Sequence, residues 1–274
     1  MKHKIIIASA ISSNHYREAQ AMLRNFHRVL LPRFSNLTLV VYDIGLSPHE
    51  HEELQKHCRC VVKLFPFHRL PDFFSTIKCF AWKVFIIAAH YHQAEVLVWA
   101  DASVRFTNVT VFLDLVQRTR EMGIQQRWLR DMAVIPKHTL PEMFERFGDS
   151  PCAYLPFEMV EANFGLYHRE PLIERAVIQP WLSCAVRSEC ICPEKWKSLQ
   201  ICRPVPRKRR VIGVCHRFDQ SMLSIIMARL FREKYHHFAV NTQDAQVTLR
   251  LDRANYFKSL QEGSPQHYES SAGG

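Results

Sequence analysis

The chain of 274 residues is long enough for one large α/β domain or two small ones. Hydrophobic residues make up 47% and charged residues 23%, which is the balance of a globular protein. Only eight glycines are present, and no G-x-G-x-x-G or G-x-x-x-x-G-K-[ST] motif occurs, which argues against a dinucleotide-binding dehydrogenase and a P-loop enzyme. The net charge of +10 favours polyanions, phosphorylated ligands or acidic membrane surfaces as partners.

Strand-like and helix-like segments alternate through the first half of the chain. Ser47, with Glu50 three residues later, forms a capping-box pattern before one of the helices. Hydrophobic periodicity predicts strands at 4–8, 37–43, 60–65 and 95–100, and helices at 15–31, 48–57, 75–93 and 109–122. Such alternation implies parallel strands with right-handed crossovers. We therefore predict an α/β fold with a single doubly wound, mostly parallel sheet, whose ligand crevice lies at the carboxyl ends of the strands.

The alternation becomes less regular after residue 121. Patterning predicts a short strand at 132–136, a short helix at 140–147, one or two strands within 154–167 and helices at 171–187 and 219–235. Asp219 is the expected N-cap of the last helix. Residues 188–215 are irregular and rich in Cys, Pro and Arg. We predict one domain over 1–257 and a disordered polar tail over 258–274.

The segment VLVWADAS at 96–103 combines a buried strand with a polar end. Asp101 follows the apolar run directly, and Ser103 comes two residues later. This placement puts a carboxylate at the expected ligand crevice. A single Asp after a strand is also typical of a turn or of a helix N-cap, so both interpretations stay open.

Nine cysteines and two N-glycosylation motifs, at Asn36 and Asn108, favour the secretory lumen. The odd count leaves at least one thiol without an intramolecular partner. The alternative is a zinc site, although the spacing matches no standard C-x-x-C pair; its ligands would be Cys184, Cys190, Cys192, Cys202 and His216. The apolar run at 5–7 is too short to span a membrane, so an anchor is expected only outside this chain.

Five basic residues lie within RPVPRKRR at 203–210. This run is compatible with a nuclear signal, a nucleic-acid patch, a diphosphate-facing loop or a solvated surface loop. No aromatic residues are interleaved to stack on bases, so we predict no nucleic-acid partner.

Several segments, taken in order, resemble the nucleotide-diphospho-sugar transferases of the GT-A fold, and the chain looks closest to a group of transferase-like animal proteins that is expanded in nematodes. The segments are SAISSNHYREAQ at 9–20, VVYDIGLSPHE at 40–50, KCFAWKVFII at 78–87, VLVWADASVRF at 96–106, EANFGLYHR at 161–169, PWLSCAV and CICP within 180–193, and CHRFDQSMLS at 215–224.

The resemblance implies a divalent metal, Mn²⁺ or Mg²⁺, at the segment that begins with Asp101. The Asp-x-Asp motif of metal-dependent sugar transferases corresponds to Asp101-Ala102-Ser103, so the second carboxylate is a serine here. A hydroxyl is a poorer ligand for such cations. His216 is the best histidine for a further metal or phosphate contact.

Donor-binding residues are also implied. Lys83 lies on the helix before Asp101 and is expected to reach the diphosphate as a point charge, unless it faces solvent. Asp43, at the end of the second strand, suits a uracil or ribose contact, or a turn before Gly45. Asn163 is expected to lie beside the donor as well.

The pair Asp219-Gln220 corresponds to an Asp-Gln that the resemblance places at the acceptor side of the donor sugar. There it would orient the sugar or stabilise an oxocarbenium-like transition state; the alternative for Asp219 is N-capping alone. If transfer inverts the anomeric centre, Glu161 or Asp219 is the expected general base.

The resemblance therefore predicts a glycosyltransferase that moves a sugar from a nucleotide-diphosphate donor to a hydroxyl of a glycan or protein, in the Golgi lumen. A GT-A-like binding or scaffold protein without activity is the main alternative, supported by Ser103. An S-adenosylmethionine methyltransferase fits Asp43 but lacks the glycine-rich first loop. A nucleic-acid binder built on residues 203–210 is the last alternative.

Overall fold

A computed structural model gives the architecture of the chain. It describes residues 4–128, 134–198, 202, 212–240, 246–248 and 251–262. The strands are β1 Ile5–Ile11, β2 Leu37–Asp43, β3 Val61–Leu64, β4 Val96–Ala100, β5 Val104–Phe106, β6 Ile124–Trp128, β7 Val160–His168, β8 Ala239–Val240 and β9 Gln246–Thr248.

Helices cover both faces of the sheet. They are α1 Tyr16–Val29, α2 Pro48–His57, α3 Ala81–Tyr91, α4 Val109–Met122, α5 Pro141–Glu145, α6 Pro171–Ile173, α7 Gln179–Ala185, α8 Ser188–Ile191, α9 Phe218–Phe231 and α10 Tyr256–Gln261. The predicted capping box is confirmed at α2, where the side chain of Ser47 accepts from the backbone of Glu50 and the Glu50 side chain accepts in return.

Seven strands form the main sheet in the order β3-β2-β1-β4-β7-β6-β8. Every pairing is parallel except those of β7, which runs opposite to β4 and β6. The predicted α/β class with a mostly parallel sheet is confirmed. The exception is β7, which is antiparallel to both neighbours because the chain enters this strand from the edge where β4 ends. Strands β5 and β9 form a separate antiparallel pair.

Two apolar cores lie on opposite faces of the sheet, because successive strand residues point to opposite sides. In β4, Val96 and Val98 belong to the core shared with α1 and α4, whereas Leu97 and Trp99 belong to the core shared with α3, α7 and α9. This alternation decides which helices face the polar residues that follow β4.

Several boundaries differ from those predicted. The helix expected at 75–93 begins only at Ala81 and is preceded by short 3-10 turns at Asp72–Ser75 and Ile77–Cys79. The helix expected at 171–187 contains a π-helical turn at Glu174–Ile178. The helix expected at 219–235 covers Phe218–Phe231 and continues as a 3-10 turn.

Strand β6 was missed, and the strand expected at 132–136 is replaced by a 3-10 turn at Ile135–His138, with 132–133 outside the described residues. Helix α10 extends beyond the expected domain end at 257. Residues 263–274 of the expected tail and the basic run 203–210 lie outside the described part of the chain.

Four disulfides connect eight of the nine cysteines: Cys58–Cys60, Cys79–Cys192, Cys184–Cys190 and Cys202–Cys215. The zinc alternative is therefore wrong, since its four cysteine ligands are all oxidised. Cys152 is free and exposed. The disulfides indicate a secretory or extracellular environment. Within the described residues, no helix is long and apolar enough to cross a membrane.

Candidate functional site

Asp101 directly follows β4, at the carboxyl end of the strand. Continuing the alternation of Leu97 and Trp99, its side chain meets the face that α3 covers. Trp99 Nε1 donates to Asp101 Oδ1 at 2.7 Å. About a third of the Asp101 side chain is exposed. The end of β4 therefore carries a carboxylate that is oriented by the Trp99 indole and remains accessible to solvent.

Lys83 lies on the inner face of α3, where an apolar residue would be expected. Its Nζ lies 3.2 Å from Asp101 Oδ1 and 3.3 Å from Asp219 Oδ2, and it donates to the carbonyl of Ala162 at 3.0 Å. The side chain is 4% exposed. The solvated-face alternative for Lys83 is thus excluded, and the lysine joins the two predicted aspartates.

Asp219 lies in the first turn of α9 and does not cap the helix. The N-cap position is Arg217, and the carboxylate of Asp219 is buried toward Lys83. Trp181 Nε1 donates to the backbone carbonyl of Asp219 at 3.0 Å. The amino end of a helix carries partial positive charge, which favours an anionic group there. The N-capping role that the sequence left open for Asp219 is therefore excluded.

Two phenylalanines with left-handed backbone conformations flank this cluster. Phe80 precedes α3 with φ 55°, and Phe218 precedes Asp219 with φ 44°. Their ring centroids are 6.2 Å apart, and Lys83 Nζ lies 5.0 Å from the Phe80 ring. Such conformations cost bulky residues on the order of 1–3 kcal/mol each and concentrate at functional sites.

The charges in the cluster influence one another strongly. Burial raises the pKa of Asp219 to about 6, an effect that Lys83 opposes and Asp101 adds to. Burial lowers the pKa of Lys83, but Asp101 and Asp219 more than compensate, so the net shift is upward and the ammonium stays protonated. With both aspartates ionised, one positive charge faces two negative charges. The cluster then has a net charge of about −1 and attracts a cation at its exposed edge, Asp101.

The donor set suits a divalent cation that is shared with a ligand. Asp101 supplies one carboxylate, and Ser103 is a buried hydroxyl two residues on. Among the described residues, no group of three or more His, Cys, Asp or Glu could hold a metal. Mg²⁺ and similar cations are commonly held by one or two carboxylates plus substrate phosphates. The residues present fit that arrangement, because Asp101 offers a partly exposed carboxylate.

His216, the third predicted metal ligand, has a different environment. The backbone N–H of Leu140 lies 3.5 Å from its Nδ1, and its ring contacts Phe218 edge-on at 5.1 Å. Burial lowers its pKa to about 4. None of these contacts involves Asp101 or Ser103, so they give no support to His216 as a metal ligand beside the carboxylate.

Asp43 has its carboxylate engaged by local structure. Its Oδ1 accepts from the backbone of Gly45 and Leu46, each at 2.8 Å, and its Oδ2 lies 2.7 Å from Nδ1 of His51. The side chain is 7% exposed. The turn before Gly45, which was the alternative to a uracil or ribose contact, is present in the structure.

Glu161 and Asn163 flank Ala162, whose backbone carbonyl accepts from Lys83. Glu161 forms an ion pair with Arg127 at 3.1 Å. The backbone carbonyl of Asn163 accepts a hydrogen bond from the backbone N–H of Asp101 at 2.8 Å. Gln220 follows Asp219, and its side-chain nitrogen lies 3.9 Å from the sulfur of Met159.

Trp99, Phe80 and Phe218 are site residues that sequence reasoning did not find. The alternation in VLVWAD places Trp99 on the same face as Asp101, so that pattern contained the signal for the indole. No signal in the residue types identifies Phe80 and Phe218, since phenylalanine rarely adopts a positive φ.

Residues 1–88 match the model of a family described as a protein of unknown function, DUF1647. No curated protein matches the sequence. The resemblance to a nematode-expanded animal group stays a prediction.

Solved structures give clearer matches. Core-mannan synthase A (CmsA/Ktr4) from Aspergillus fumigatus, in a form with Mn and GDP, is 10% identical, with 89% of this chain and 74% of that chain covered and a TM-score of 0.57. Mouse xyloside xylosyltransferase 1 is 13% identical, with 85% and 83% covered and a TM-score of 0.41. The bifunctional glycosyltransferase WbbM is 13% identical, with 67% of this chain covered and a TM-score of 0.46.

This chain spans 34% of the length of WbbM. At these identities the comparisons establish the fold only. The chain has the mixed α/β fold of the GT-A glycosyltransferases, with its disulfide-rich part toward the carboxyl end.

Proposed function

We propose that this protein is a glycosyltransferase that transfers a sugar from a nucleoside-diphosphate donor to a hydroxyl of a glycan or protein acceptor. The observation that carries the proposal is the cluster of Lys83, Asp101 and Asp219 at the carboxyl end of β4. Packing of an apolar core does not require a buried lysine that is ion-paired with a partly exposed carboxylate. Such an ion pair suits a site that orients a charged ligand.

Asp101 would hold the divalent cation, with Trp99 and Lys83 fixing the orientation of its carboxylate. The cation would neutralise the diphosphate and make the nucleotide a better leaving group. A structure with Mn and GDP in the fungal core-mannan synthase supports this assignment by analogy of fold. Ser103 would contribute a hydroxyl to the same edge.

Asp219 and Gln220 would face the donor sugar. Asp219 is held by Lys83 at the amino end of α9, so its carboxylate has a fixed position and is ionised above a pH of about 6. A fixed negative charge next to an anomeric carbon stabilises positive charge that develops there during transfer. Glu161 is the weaker candidate for a general base, because Arg127 already pairs with it.

The secretory environment that the disulfides indicate fits the lumen of the Golgi, where nucleotide sugars serve as donors. Asn36 and Asn108 are both exposed, as glycosylation acceptors must be. The proposed partners are the nucleotide sugar and the acceptor, without nucleic acid.

A thermal-shift screen of UDP, GDP and CDP, each with Mn²⁺ and with EDTA, tests this function. We expect stabilisation by one nucleotide in the presence of Mn²⁺, lost in Asp101→Asn and kept in the matched control Asp114→Asn, whose carboxylate is exposed on α4. Absence of any nucleotide-dependent shift in the wild type would reject the enzyme and favour the scaffold alternative. An unchanged shift in Asp101→Asn would reject the metal assignment.

A further inference from the structure

A cavity with a volume of about 360 Å³ lies apart from the charged cluster, none of whose residues lines it. That volume is in the range of small-molecule sites. Two distant stretches of the chain line it. Phe73 and Thr76 come from the 3-10 turns before α3, while Ser188, Glu189, Glu194 and Lys197 come from α8 and the turn after it.

Covalent bonds hold these walls together. The Cys79–Cys192 disulfide joins the two stretches across 113 residues of sequence, and Cys192 itself lines the cavity. Cys184–Cys190 closes the chain around α8. Arg146 adds a hydrogen bond to the carbonyl of Glu189 at 2.9 Å. The cavity is therefore built on a cross-linked frame.

The Cys79–Cys192 disulfide also connects the cavity wall, through the chain, to the charged cluster. Cys79 is followed directly by Phe80, whose ring lies 5.0 Å from Lys83 Nζ and contacts the ring of Phe218. The disulfide that joins the cavity walls is thus one residue away from a ring that contacts Lys83. A second substrate of the same reaction has to be held in a fixed position relative to the first, and this covalent connection fixes the cavity wall relative to the cluster.

The lining chemistry selects the kind of ligand. Glu189 and Glu194 supply acceptors, Lys197 supplies donors, and the hydroxyls of Thr76 and Ser188 serve as both. Two carboxylates against one ammonium leave the lining with a net charge of about −1, which disfavours phosphates. The half-buried ring of Phe73 offers an apolar surface for the C–H face of a sugar ring.

We propose that this cavity is the acceptor subsite and binds a neutral glycan. The inference rests on the proposed function, since only a transfer reaction requires an acceptor beside the donor. The nucleotide binds at Asp101, and the glycan binds in the cavity of Phe73, Glu189 and Glu194, with its reacting hydroxyl directed past Phe80.

The test uses an array of neutral oligosaccharides for glycan binding and calorimetry with nucleoside diphosphates plus Mn²⁺ for donor binding. We expect the wild type to bind a subset of the glycans. Glu189→Gln/Glu194→Gln should bind them about tenfold more weakly, because charge-assisted hydrogen bonds are lost, with nucleotide affinity unchanged. The matched control is Glu52→Gln/Glu233→Gln, two exposed glutamates on α2 and on the turn after α9.

Each outcome has a separate meaning. Nucleotide binding without any glycan binding by the wild type would overturn the subsite and leave the proposed function intact. Glycan binding that survives in Glu189→Gln/Glu194→Gln and in a second variant, Phe73→Ala, would also overturn it. Loss of nucleotide binding in the cavity variants would place the nucleotide, rather than the acceptor, in the cavity. Absence of nucleotide binding in the wild type would reject the proposed function itself.

Discussion

Lys83 Nζ lies 3.3 Å from Asp219 Oδ2, although one residue belongs to the third helix and the other to the ninth. Both side chains are buried, and Lys83 is the cation that compensates the charge of Asp219, while Asp101 and Asp219 together compensate that of Lys83. Removing one partner from such a pair leaves an uncompensated charge.

We expect Lys83→Met to lower the free energy of unfolding by about 3–5 kcal/mol. The double variant Lys83→Met/Asp219→Asn should recover most of this loss, because no buried charge then lacks a partner. Urea denaturation at pH 7 measures both values. Lys78→Met, on the exposed side of the preceding turn, is the control. A loss of stability in Lys83→Met no larger than that of the control would contradict the interpretation.

Asp219→Asn should lower kcat for sugar transfer by about 100-fold, since it removes a positioned negative charge but keeps the shape of the side chain. Glu161→Gln should lower kcat by about tenfold or less, because its ion pair with Arg127 makes it a poor base. Initial rates with the donor and acceptor found in the binding experiments provide the measurement. The reverse order of the two effects would assign the base to Glu161.

His27 should make stability fall with decreasing pH. It is buried between the hydroxyl of Tyr256, at 3.0 Å from its Nδ1, and the carbonyl of Cys58. Burial lowers its pKa to about 4, below the usual value of 6.5. As pH falls below 6.5, His27 binds a proton in the unfolded chain, whereas in the folded chain it does so only near pH 4. Stability is therefore lost across that window.

Between pH 7 and pH 5 this histidine should account for about 2 kcal/mol of lost stability. The comparison is between wild type and His27→Gln by urea denaturation at both pH values, so that contributions from other groups cancel. The variant should show the smaller dependence on pH. His49→Gln, an exposed histidine on α2, should behave as the wild type. Equal pH dependence in wild type and His27→Gln would show that His27 titrates normally in the folded protein.

The Cys79–Cys192 disulfide closes a long loop, because its cysteines are separated by 113 positions in the sequence. Loop closure of this length removes enough entropy from the unfolded chain that Cys79→Ser/Cys192→Ser should lose about 5 kcal/mol of stability. Unfolding without reductant measures this loss, with Cys152→Ser as the control at the free cysteine. If the double variant is as stable as the control, the two cysteines are not bonded in the folded protein.

Local sequence patterns predicted the first four strands and most of the helices between them. In β1, β2 and β4, runs of β-branched and apolar residues are bounded by polar ones, so strand and edge are both visible. The start of α3 was predicted too early, because Phe80 in a left-handed conformation and the Cys79 disulfide interrupt an otherwise helical pattern. Strand β6, IQQRW, has mostly polar residues, and its burial comes from tertiary contacts that no local pattern reveals.

The site was predicted in part. Asp101 was identified from the strand before it, and Lys83 and Asp219 from the order of the segments. Their direct contact depends on how α3 and α9 cross the sheet. Whether Asp43 accepts hydrogen bonds from a turn and whether Asp219 caps its helix also depend on local geometry. Asp43 accepts from the turn, whereas Asp219 does not cap its helix.

The reversed direction of β7 has a consequence for how this site tolerates mutation. Because β7 starts where β4 ends, its first carbonyls meet the cluster. Ala162 accepts from Lys83, and Asn163 accepts from the backbone of Asp101. Both contacts use main-chain oxygens, which every amino acid carries. A substitution at 162 or 163 therefore leaves the atoms that make these two contacts in place, so variability there across homologues would not by itself show that the site had been lost.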